Sequence, residues 1–467
     1  MNRNLFLMVA AAALLSFVIS GPVRAAEKEI TPGLLGELRD SIEEDQSVQA
    51  LINAVSNNDL KDLVFNNRFH REHDDLFNFK IETGGITDQK QSGRCWLFAG
   101  FNVMRPEVME KYNLERFEFS ENYLFFWDKL EKANMFLEAI IETADRDIDD
   151  REIQTLLENP VPDGGWWNYV VSLIEKYGAV PKEVMPETRN SSSTGRMNSQ
   201  LNGMARAFAS GLRNEYAAGA EPEQLRKKKK EMLKKLYRLL VLHLGLPPRE
   251  FTWRVENRDR EIFEKDYTPI SFYEEAVDID LRDYVNVMDH PAHEYNRLYR
   301  IRYCRNMPEV DDMVFVNLPV SRLREFARSA LLNNEPVWFA ADVGTGNDTS
   351  KGILSSRIYD YEALIGSFPE MSKSERVQYG ESVPGHAMVL IGMDIGENDR
   401  IRKWQVENSW GEDTGNKGLW TMYDEWFRKY VFSVIVHRRH LTDEASGILE
   451  TEPEILPAWD PMRKAFR

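Results

Sequence analysis

The sequence predicts an α+β fold with two lobes, because its two halves carry different apolar patterns. Through the first half, apolar residues recur at the spacing of amphipathic helices. From about residue 312 onwards, short runs rich in β-branched and aromatic residues predict strands. The 467 residues leave room for one large or two modest domains with a sizeable core. We therefore expect a helical lobe followed by a β-rich lobe, with the functional cleft between them.

The first 25 residues predict a secretory signal peptide. A short basic head at 2–4 precedes an apolar run at 5–19, and Ala25 ends a small-residue cleavage site. The run is too short for a membrane-spanning helix, although an uncleaved anchor is the alternative. We expect cleavage after Ala25, export to the bacterial periplasm or medium, and no stable membrane anchor.

The charge balance limits the classes of partner. The formal net charge is −17, and removal of residues 1–25 takes away Arg3 and Arg24 but no acidic residue, which makes it −19. Binding to nucleic acid depends on basic side chains that neutralise phosphates, so we expect no nucleic-acid partner. The lysine run at 227–230 has two interpretations. It forms a solvated or subunit-facing helix surface, which we favour, or it contacts nucleic acid.

Helices are predicted in order along the first half. Residues 30–70 form a helical lead-in, and a loop over 81–93 leads to a helix that starts at Cys95 and ends near residue 110. Ser120 caps the next helix, and further helical regions cover 168–177 and 197–245.

Strands are predicted along the second half, and the chain ends in an extended arm. The strands cover residues 313–318, 337–344, 386–393, 402–407, 419–422 and 431–436, with a helix over 321–333. The prolines at 457 and 461 favour an extended arm over a helix at the C-terminus.

Cys95 has the sequence context of a thiol nucleophile. A Ser-Gly pair before it and an apolar run after it place it at a turn-to-helix junction. Free N–H groups and the positive end of the helix dipole would stabilise a thiolate there. The Cys95 N–H and the side-chain amide of Gln89, six residues upstream, are candidate donors to the oxyanion of a tetrahedral intermediate.

His386 is the predicted base for this thiol. It leads an apolar run of β type, which would project it from the end of a strand. Asn408 would hold its imidazole in one tautomer, and Trp410 would shield that hydrogen bond from water. Each of these residue types alone is more often structural, but their order and context together predict a Cys–His–Asn site.

Five motifs follow one another along the chain. They are Gln-Ser-Gly-Arg-Cys-Trp-Leu-Phe at 91–98, Asp-Gly-Gly-Trp at 163–166, Tyr-Gly-Glu-Ser at 379–382, His-Ala-Met at 386–388 and Leu-Pro-Ala-Trp-Asp-Pro-Met at 456–462. Together they resemble the bleomycin hydrolase / aminopeptidase C family of papain-like cysteine peptidases, from about residue 60 to the C-terminus. The resemblance implies a papain-like two-lobed fold with a β-barrel-like second lobe. It also implies peptide substrates and hydrolysis through an acyl-thiol intermediate, with no metal and no cofactor.

The resemblance also implies substrate contacts. Gly164 and Gly165 would hydrogen-bond the substrate main chain, although a simple turn before a helix is the alternative. The C-terminal arm would lie in the cleft, where the carboxylate of Arg467 captures the α-amino group of the substrate; a disordered tail is the alternative. Residues 463–467 are more basic than expected from relatives and would repel an amino terminus, so either the end is trimmed or the amine is bound less strictly.

The spacing of the catalytic residues predicts an insertion. His386 lies 291 residues after Cys95, whereas compact papain-type enzymes need about 130–150. We predict a signal peptide at 1–25, a helical lobe with the catalytic Cys at 26–190, a helical insertion at 191–310, a β-rich lobe with His and Asn at 311–447 and an arm at 448–467. In the resembled family the insertion builds subunit contacts, which implies a homo-oligomer, by resemblance a hexamer.

The chain has two cysteines, Cys95 and Cys304. We expect no disulfide, because pairing would block the nucleophile, and we expect Cys304 to be a half-buried structural thiol. Three functions stay open. The first is an exported cysteine aminopeptidase, the second is a cysteine endopeptidase with an open cleft, and the third is a catalytically idle, oligomeric peptide-binding protein.

Overall fold

The computed structural model describes residues 28–43 and 47–463. The predicted signal peptide at 1–25 and the terminal Arg467 lie outside the described residues. Within the described ranges, no helix combines the length and the apolar character needed to cross a membrane.

The described chain divides into two compact units. The smaller unit holds the residues up to Phe65 together with Tyr361–Gly366. The larger unit holds Asn66–Asp360 and the chain from Ser367 onwards, and it contains every predicted catalytic residue.

The helices that were predicted begin and end close to their expected limits. They are α1 (Pro32–Glu43), α2 (Val48–Asn57), α3 (Leu60–Leu63), α4 (Asn67–Glu72), α5 (Cys95–Lys111), α6 (Glu121–Glu142), α7 (Arg151–Glu158), α8 (Trp167–Tyr177), α9 (Gly195–Ala217), α10 (Pro222–Leu244), α11 (Pro269–Phe272), α12 (Val320–Leu332), α13 (Glu362–Ile365), α14 (Lys373–Gln378), α15 (Asp424–Tyr430) and α16 (Asp443–Leu449). The structure adds α7, α11 and α13 to α16 to the predicted helices. The predicted helix start at Cys95 is confirmed. The predicted cap is confirmed too, since the Ser120 hydroxyl accepts a hydrogen bond from the Tyr123 N–H.

The strands form one large sheet and a separate hairpin. They are β1 (Phe79–Lys80), β2 (Phe251–Glu256), β3 (Ile262–Tyr267), β4 (Tyr284–Met288), β5 (Arg297–Ile301), β6 (Val314–Asn317), β7 (Val337–Ala341), β8 (Asn347–Asp348), β9 (Ile353–Leu354), β10 (His386–Ile395), β11 (Ile401–Glu407), β12 (Leu419–Tyr423), β13 (Val431–His437) and β14 (Glu454–Leu456). The sheet order is β14-β5-β6-β4-β13-β7-β10-β11-β12-β9-β8, with β1 beside β10, and β2 pairs with β3. The predicted α+β class is confirmed.

Strand β10 begins with the candidate residue His386 and lies between β7 and β11 in the large sheet. Both of its faces are covered. Its side chains alternate between two cores. Ala387 and Val389 belong to the core that contains α5, whereas Met388 and Leu390 belong to the core that contains α12. Helix α5 packs directly against this strand. The start of α5 is therefore held against the strand that begins with His386.

The expectation that helices continue to residue 310 and that strands begin near 312 is wrong. Helices α9 and α10 cover the predicted region at 197–245, but β2 and β3 then form a hairpin, and β4 and β5 join the large sheet. Strand β4 pairs with β13 and β6, and β5 pairs with β6 and β14. The partners β13 and β14 are distant in sequence, so local periodicity could not predict those pairings, whereas β6 directly follows β5 along the chain.

Candidate active site

Cys95 is the first residue of α5, where the first helical turn leaves backbone N–H groups without helical partners. Its side chain is buried, and the backbone N–H groups of Ala387 and Trp96 lie close enough to the sulfur to favour its ionised form. Ala387 directly follows His386 on β10. The packing of α5 on β10 therefore brings the predicted nucleophile next to the predicted base.

Strand pairing places Asn408 beside the imidazole of His386. His386 begins β10, and Asn408 directly follows β11, the antiparallel neighbour of β10. Nε2 of His386 lies 2.8 Å from Oδ1 of Asn408, and the Ser409 N–H donates to the same oxygen at 2.8 Å. Because an N–H must face an oxygen, the second bond fixes the amide orientation, so Nε2 carries the imidazole proton. Nδ1 is left as the basic nitrogen.

Trp410 covers the His386–Asn408 hydrogen bond. Its ring centroid lies 4.7 Å from that of His386. The ring of Trp420 packs edge-on against the ring of Trp410, with a centroid distance of 5.3 Å. His386 and Asn408 are both buried. An indole over a buried hydrogen bond keeps water from competing for it.

Gln89 is attached to the same segment by both its backbone and its side chain. Its N–H donates to the Ser409 carbonyl at 2.8 Å, and its Oε1 accepts from the Ser409 hydroxyl at 2.7 Å. Its Nε2 donates to the Ser92 carbonyl at 2.6 Å, which leaves the second amide proton for another acceptor. The sequence analysis gave Ser409 no role, although it lies between the predicted Asn408 and Trp410.

Burial opposes ionisation of both members of the dyad. Burial raises the pKa of the Cys95 thiol to about 12, although the backbone N–H groups of Ala387, Trp96 and Cys95 act in the opposite direction. Burial also lowers the pKa of His386 to about 4, against the effect of its hydrogen bond with Asn408. Burial therefore favours the neutral thiol, rather than the thiolate that the start of a helix was expected to stabilise, and the neutral imidazole beside it.

Gly164 and Gly165 are buried in the loop between α7 and α8, and they differ in what their main chains bind. The Gly164 carbonyl accepts from Nζ of Lys132 at 2.7 Å and therefore points into the protein. Among the described residues, no group hydrogen-bonds the main chain of Gly165. A Cβ on Gly165 would lie 2.7 Å from the ring of Trp96, so a glycine is required at this close approach.

Buried charges hold this loop against the start of α5. Asp163 pairs with Lys129 of α6 at 2.6 Å and accepts from the Gly93 N–H at 3.1 Å. Nε1 of Trp96 donates to the Asp163 carbonyl at 2.9 Å. Burial would raise the pKa of Asp163, but the Lys129 charge and the hydrogen bonds hold it well below its usual range. Local sequence patterns do not predict this network, because charged residues on a helix normally face solvent.

The C-terminal arm is extended only over β14, and turns follow over residues 458–463, so the prediction of an extended arm is confirmed only in part. Strand β14 pairs with β5, and Nε of Arg463 donates to the Tyr303 carbonyl at 3.0 Å. Arg463 and Tyr169 line one cavity, and the Tyr169 ring packs edge-on against Trp96 at 6.0 Å. The last described residue of the arm thus approaches the neighbourhood of α5, and Arg467 lies outside the described residues.

The expectation that Cys304 is half-buried is wrong. Cys304 is fully buried, and in the structure it and Cys95 are free cysteines. Outside the active site, His290 and His293 both face Asp460. Asp460 lies 167 positions from His293, so no local spacing could predict this cluster.

Comparison with known proteins places the chain among peptidases. The sequence model of the Peptidase C1-like family matches residues 29–463. Aminopeptidase C of Streptococcus thermophilus is 38% identical over 416 residues, which cover 88% of this chain and 94% of that protein. Bleomycin hydrolase of Homo sapiens is 39% identical over 423 residues, covering 88% and 93%. The crystal structure of PepW from Lactobacillus rhamnosis is similar with a TM-score of 0.91 at 37% identity, over 93% of this chain and 99% of that one.

Proposed function

This chain belongs to the Peptidase C1-like family, and we propose that it is an exported cysteine aminopeptidase that removes N-terminal residues from peptides. Family membership and the papain-like α+β fold make it a cysteine-type peptidase. The aminopeptidase C and bleomycin hydrolase relatives support the proposed specificity. The observation that carries the mechanism is the convergence of Cys95, His386, Asn408 and Gln89 in one buried site.

Acylation begins with proton transfer within the dyad. The proton moves from Sγ of Cys95 to Nδ1 of His386, since Nε2–H is already committed to Asn408. Sγ then forms a bond to the carbonyl carbon of the first peptide bond, and the π electrons move onto the carbonyl oxygen. The Cys95 N–H and the free amide proton of Gln89 donate to that oxyanion.

The intermediate collapses in two stages. The carbon–nitrogen bond breaks, and Nδ1–H of His386 gives its proton to the leaving amine. Water then attacks the thioester and gives a proton to His386. The carbon–sulfur bond breaks, and the proton returns to Sγ of Cys95. The N-terminal residue leaves as a free amino acid, and no metal or cofactor enters the scheme.

Substrate binding is assigned to the loop beside α5 and to the arm. The unpartnered N–H and C=O of Gly165 suit main-chain hydrogen bonds to a peptide, whereas the Gly164 carbonyl is occupied by Lys132. We assign recognition of the α-amino group to the C-terminal arm and its Arg467 carboxylate, because Arg463 already approaches Tyr169 beside Trp96.

Export and assembly complete the proposal. The basic head, the apolar run and the cleavage site within residues 1–25 support export to the periplasm or medium. We also propose a homo-oligomer, on the resemblance to aminopeptidase C and bleomycin hydrolase, with peptides as substrates and no nucleic-acid partner.

An aminoacyl fluorogenic amide, offered with its amine free and with its amine acetylated, tests the specificity. Under reducing conditions we expect cleavage of the free-amine substrate and little or none of the acetylated one. Cys95→Ala should abolish cleavage, whereas Cys304→Ala, the matched change at the other cysteine, should retain it. Activity that survives Cys95→Ala would refute the mechanism.

The same assay distinguishes the aminopeptidase from the alternative function, a cysteine endopeptidase with an open cleft. The basic residues at 463–467 favour a cysteine endopeptidase, because a cationic arm would repel the amino terminus of a substrate. Equal or better cleavage of the acetylated amide would establish that specificity and refute the aminopeptidase.

A further inference from the structure

Three potential metal ligands meet where the C-terminal arm crosses the large sheet. His290 and His293 lie in the connection between β4 and β5, and Asp460 lies in the turn that follows β14, the parallel partner of β5. His290 and Asp460 are buried, whereas the side chain of His293 is 30% exposed. The group is thus enclosed on one side and reachable from solvent through His293.

The contacts within this group are longer than typical charge-assisted hydrogen bonds, and their length is compatible with neighbouring ligands of one metal ion. Nε2 of His290 lies 3.3 Å from the Asp460 carboxylate, and so does Nε2 of His293. Charge-assisted N–H···O bonds are about 2.7–2.9 Å long. Zinc bonds of about 2.0–2.1 Å at tetrahedral angles place neighbouring ligand atoms about 3.3–3.4 Å apart. One ligand atom from each of the three residues lies within 4.8 Å of the other two.

Surrounding hydrogen bonds hold the main chain of the loop that carries both imidazoles, and they orient the carboxylate of Asp460. Asn317 of β6 accepts from the His290 N–H at 2.9 Å and donates to the Glu294 carbonyl at 2.9 Å. It therefore fixes the loop that presents both imidazoles. The Met462 N–H donates to one oxygen of Asp460 at 2.9 Å, which orients the carboxylate. Such outer contacts are what metal ligands require for a defined geometry.

We propose that His290, His293 and Asp460 bind one divalent transition metal ion of the zinc class. Two imidazole nitrogens and one carboxylate suit zinc, whereas calcium and magnesium prefer oxygen ligands alone. Three protein ligands leave a fourth position for water. The ion would fasten the C-terminal arm to the β4–β5 connection at Asp460, seven residues before the end of the chain. This site is distinct from the proposed peptidase chemistry, which needs no metal.

Metal binding by the full chain, without a histidine tag, tests the proposal directly. The protein carries Cys95→Ala, so that the active-site thiol cannot bind the ion, and it is treated with a chelator before titration with Zn²⁺. We expect one ion per chain by equilibrium dialysis and metal analysis. His293→Ala and Asp460→Asn should weaken binding at least about 100-fold, because each removes a ligand.

His243→Ala is the matched control, because His243 lies on α10 and contacts Gln200 rather than this group. It should still bind one ion. The half-exposed His293 is the variant that disturbs folding least, and far-UV circular dichroism checks both variants. Replacement of zinc by Co²⁺ should give the visible absorption of a four-coordinate ion in the control and not in His293→Ala. Absence of stoichiometric binding, or unchanged binding in His293→Ala, would overturn the proposal. The two histidines and Asp460 would then be joined by hydrogen bonds alone.

Discussion

Ser409 connects the two functional parts of the catalytic group. Its backbone N–H sets the orientation of the Asn408 amide, and therefore the tautomer of His386. Its hydroxyl donates to Oε1 of Gln89, and therefore sets the direction of the oxyanion donor. One residue thus positions both the proposed base and the proposed oxyanion donor.

Ser409→Ala separates these two effects. The backbone bond to Asn408 survives the substitution, but the Gln89 amide loses the donor that holds it. Loss of a whole oxyanion donor costs about 10²–10³ in kcat, and a loosened donor should cost less, about 10-fold in kcat with little change in KM. Steady-state kinetics measure this split. Ser409→Thr should restore the rate, and Ser374→Ala on the exposed face of α14 should leave it unchanged; a pure rise in KM would contradict the role.

The pH profile follows from the buried imidazole. His386 must be neutral in the free enzyme to accept the thiol proton, and burial lowers its pKa to about 4. A depressed pKa means that activity is present above it and is lost as the pH falls through it. We expect the acid limb of kcat/KM well below pH 6.5, toward about 4, since this parameter reports the free enzyme. A limb at or above 6.5, with the fold intact by circular dichroism, would contradict a desolvated His386.

At the scale of elements, the site is assembled where α5, β10 and the Gly164–Gly165 loop meet. The helix start supplies Cys95, the strand start supplies His386, and the loop supplies Gly165, whose main chain has no hydrogen-bond partner among the described residues. The loop is held against α5 by the buried Asp163–Lys129 pair. Breaking a buried pair by removing one partner typically costs about 3–5 kcal/mol, so this loop is rigidly placed.

Alanine substitutions at Gly165, in the loop before α8, and at Gly203, in α9, should change the free energy of unfolding in opposite directions. A Cβ at 165 would lie 2.7 Å from the Trp96 ring and 2.9 Å from that of Tyr169. We expect Gly165→Ala to lower the free energy of unfolding by about 1–3 kcal/mol through overpacking, and to raise KM.

The matched change is Gly203→Ala, in the middle of α9, where a Cβ meets nothing within 4 Å. It should raise the free energy of unfolding by about 0.8–1 kcal/mol through helix propensity, with unchanged kinetics. Urea denaturation measures both variants, and equal effects would contradict the close packing at Gly165.

At the scale of the whole molecule, the amino-acid composition is related to the cellular compartment and the binding partners of the enzyme. The net charge of −17 keeps a protein soluble and disfavours polyanionic partners. The polypeptide carries a predicted export signal but only two cysteines, both free in the structure. Its fold therefore depends on the two large cores rather than on covalent cross-links.

The proposed export predicts that the mature chain lacks residues 1–25. Expressed in a bacterium with a periplasm, the protein should begin at Ala26, because Ala25 ends the predicted cleavage site. Intact-mass spectrometry of the periplasmic fraction measures this. A chain that retains residues 1–25 in the membrane fraction would support the uncleaved anchor instead.

The sequence by itself determined the fold class and the identity of the catalytic candidates. Helical periodicity, strand patterns and the start of α5 at Cys95 are encoded by neighbouring residues, so they could be predicted. The contexts of Cys95, His386 and Asn408 are likewise local, since each lies beside the residues that define its motif.

Only the tertiary structure decided which distant groups meet. The Ser409–Gln89 bond joins residues 320 positions apart, and the His290–Asp460 contact joins residues 170 positions apart. Strands β4 and β5 were likewise missed, and each of them pairs with one strand that is distant in the chain, β4 with β13 and β5 with β14. Local patterns report local preferences, whereas burial of a charge or convergence of ligands depends on the path of the whole chain.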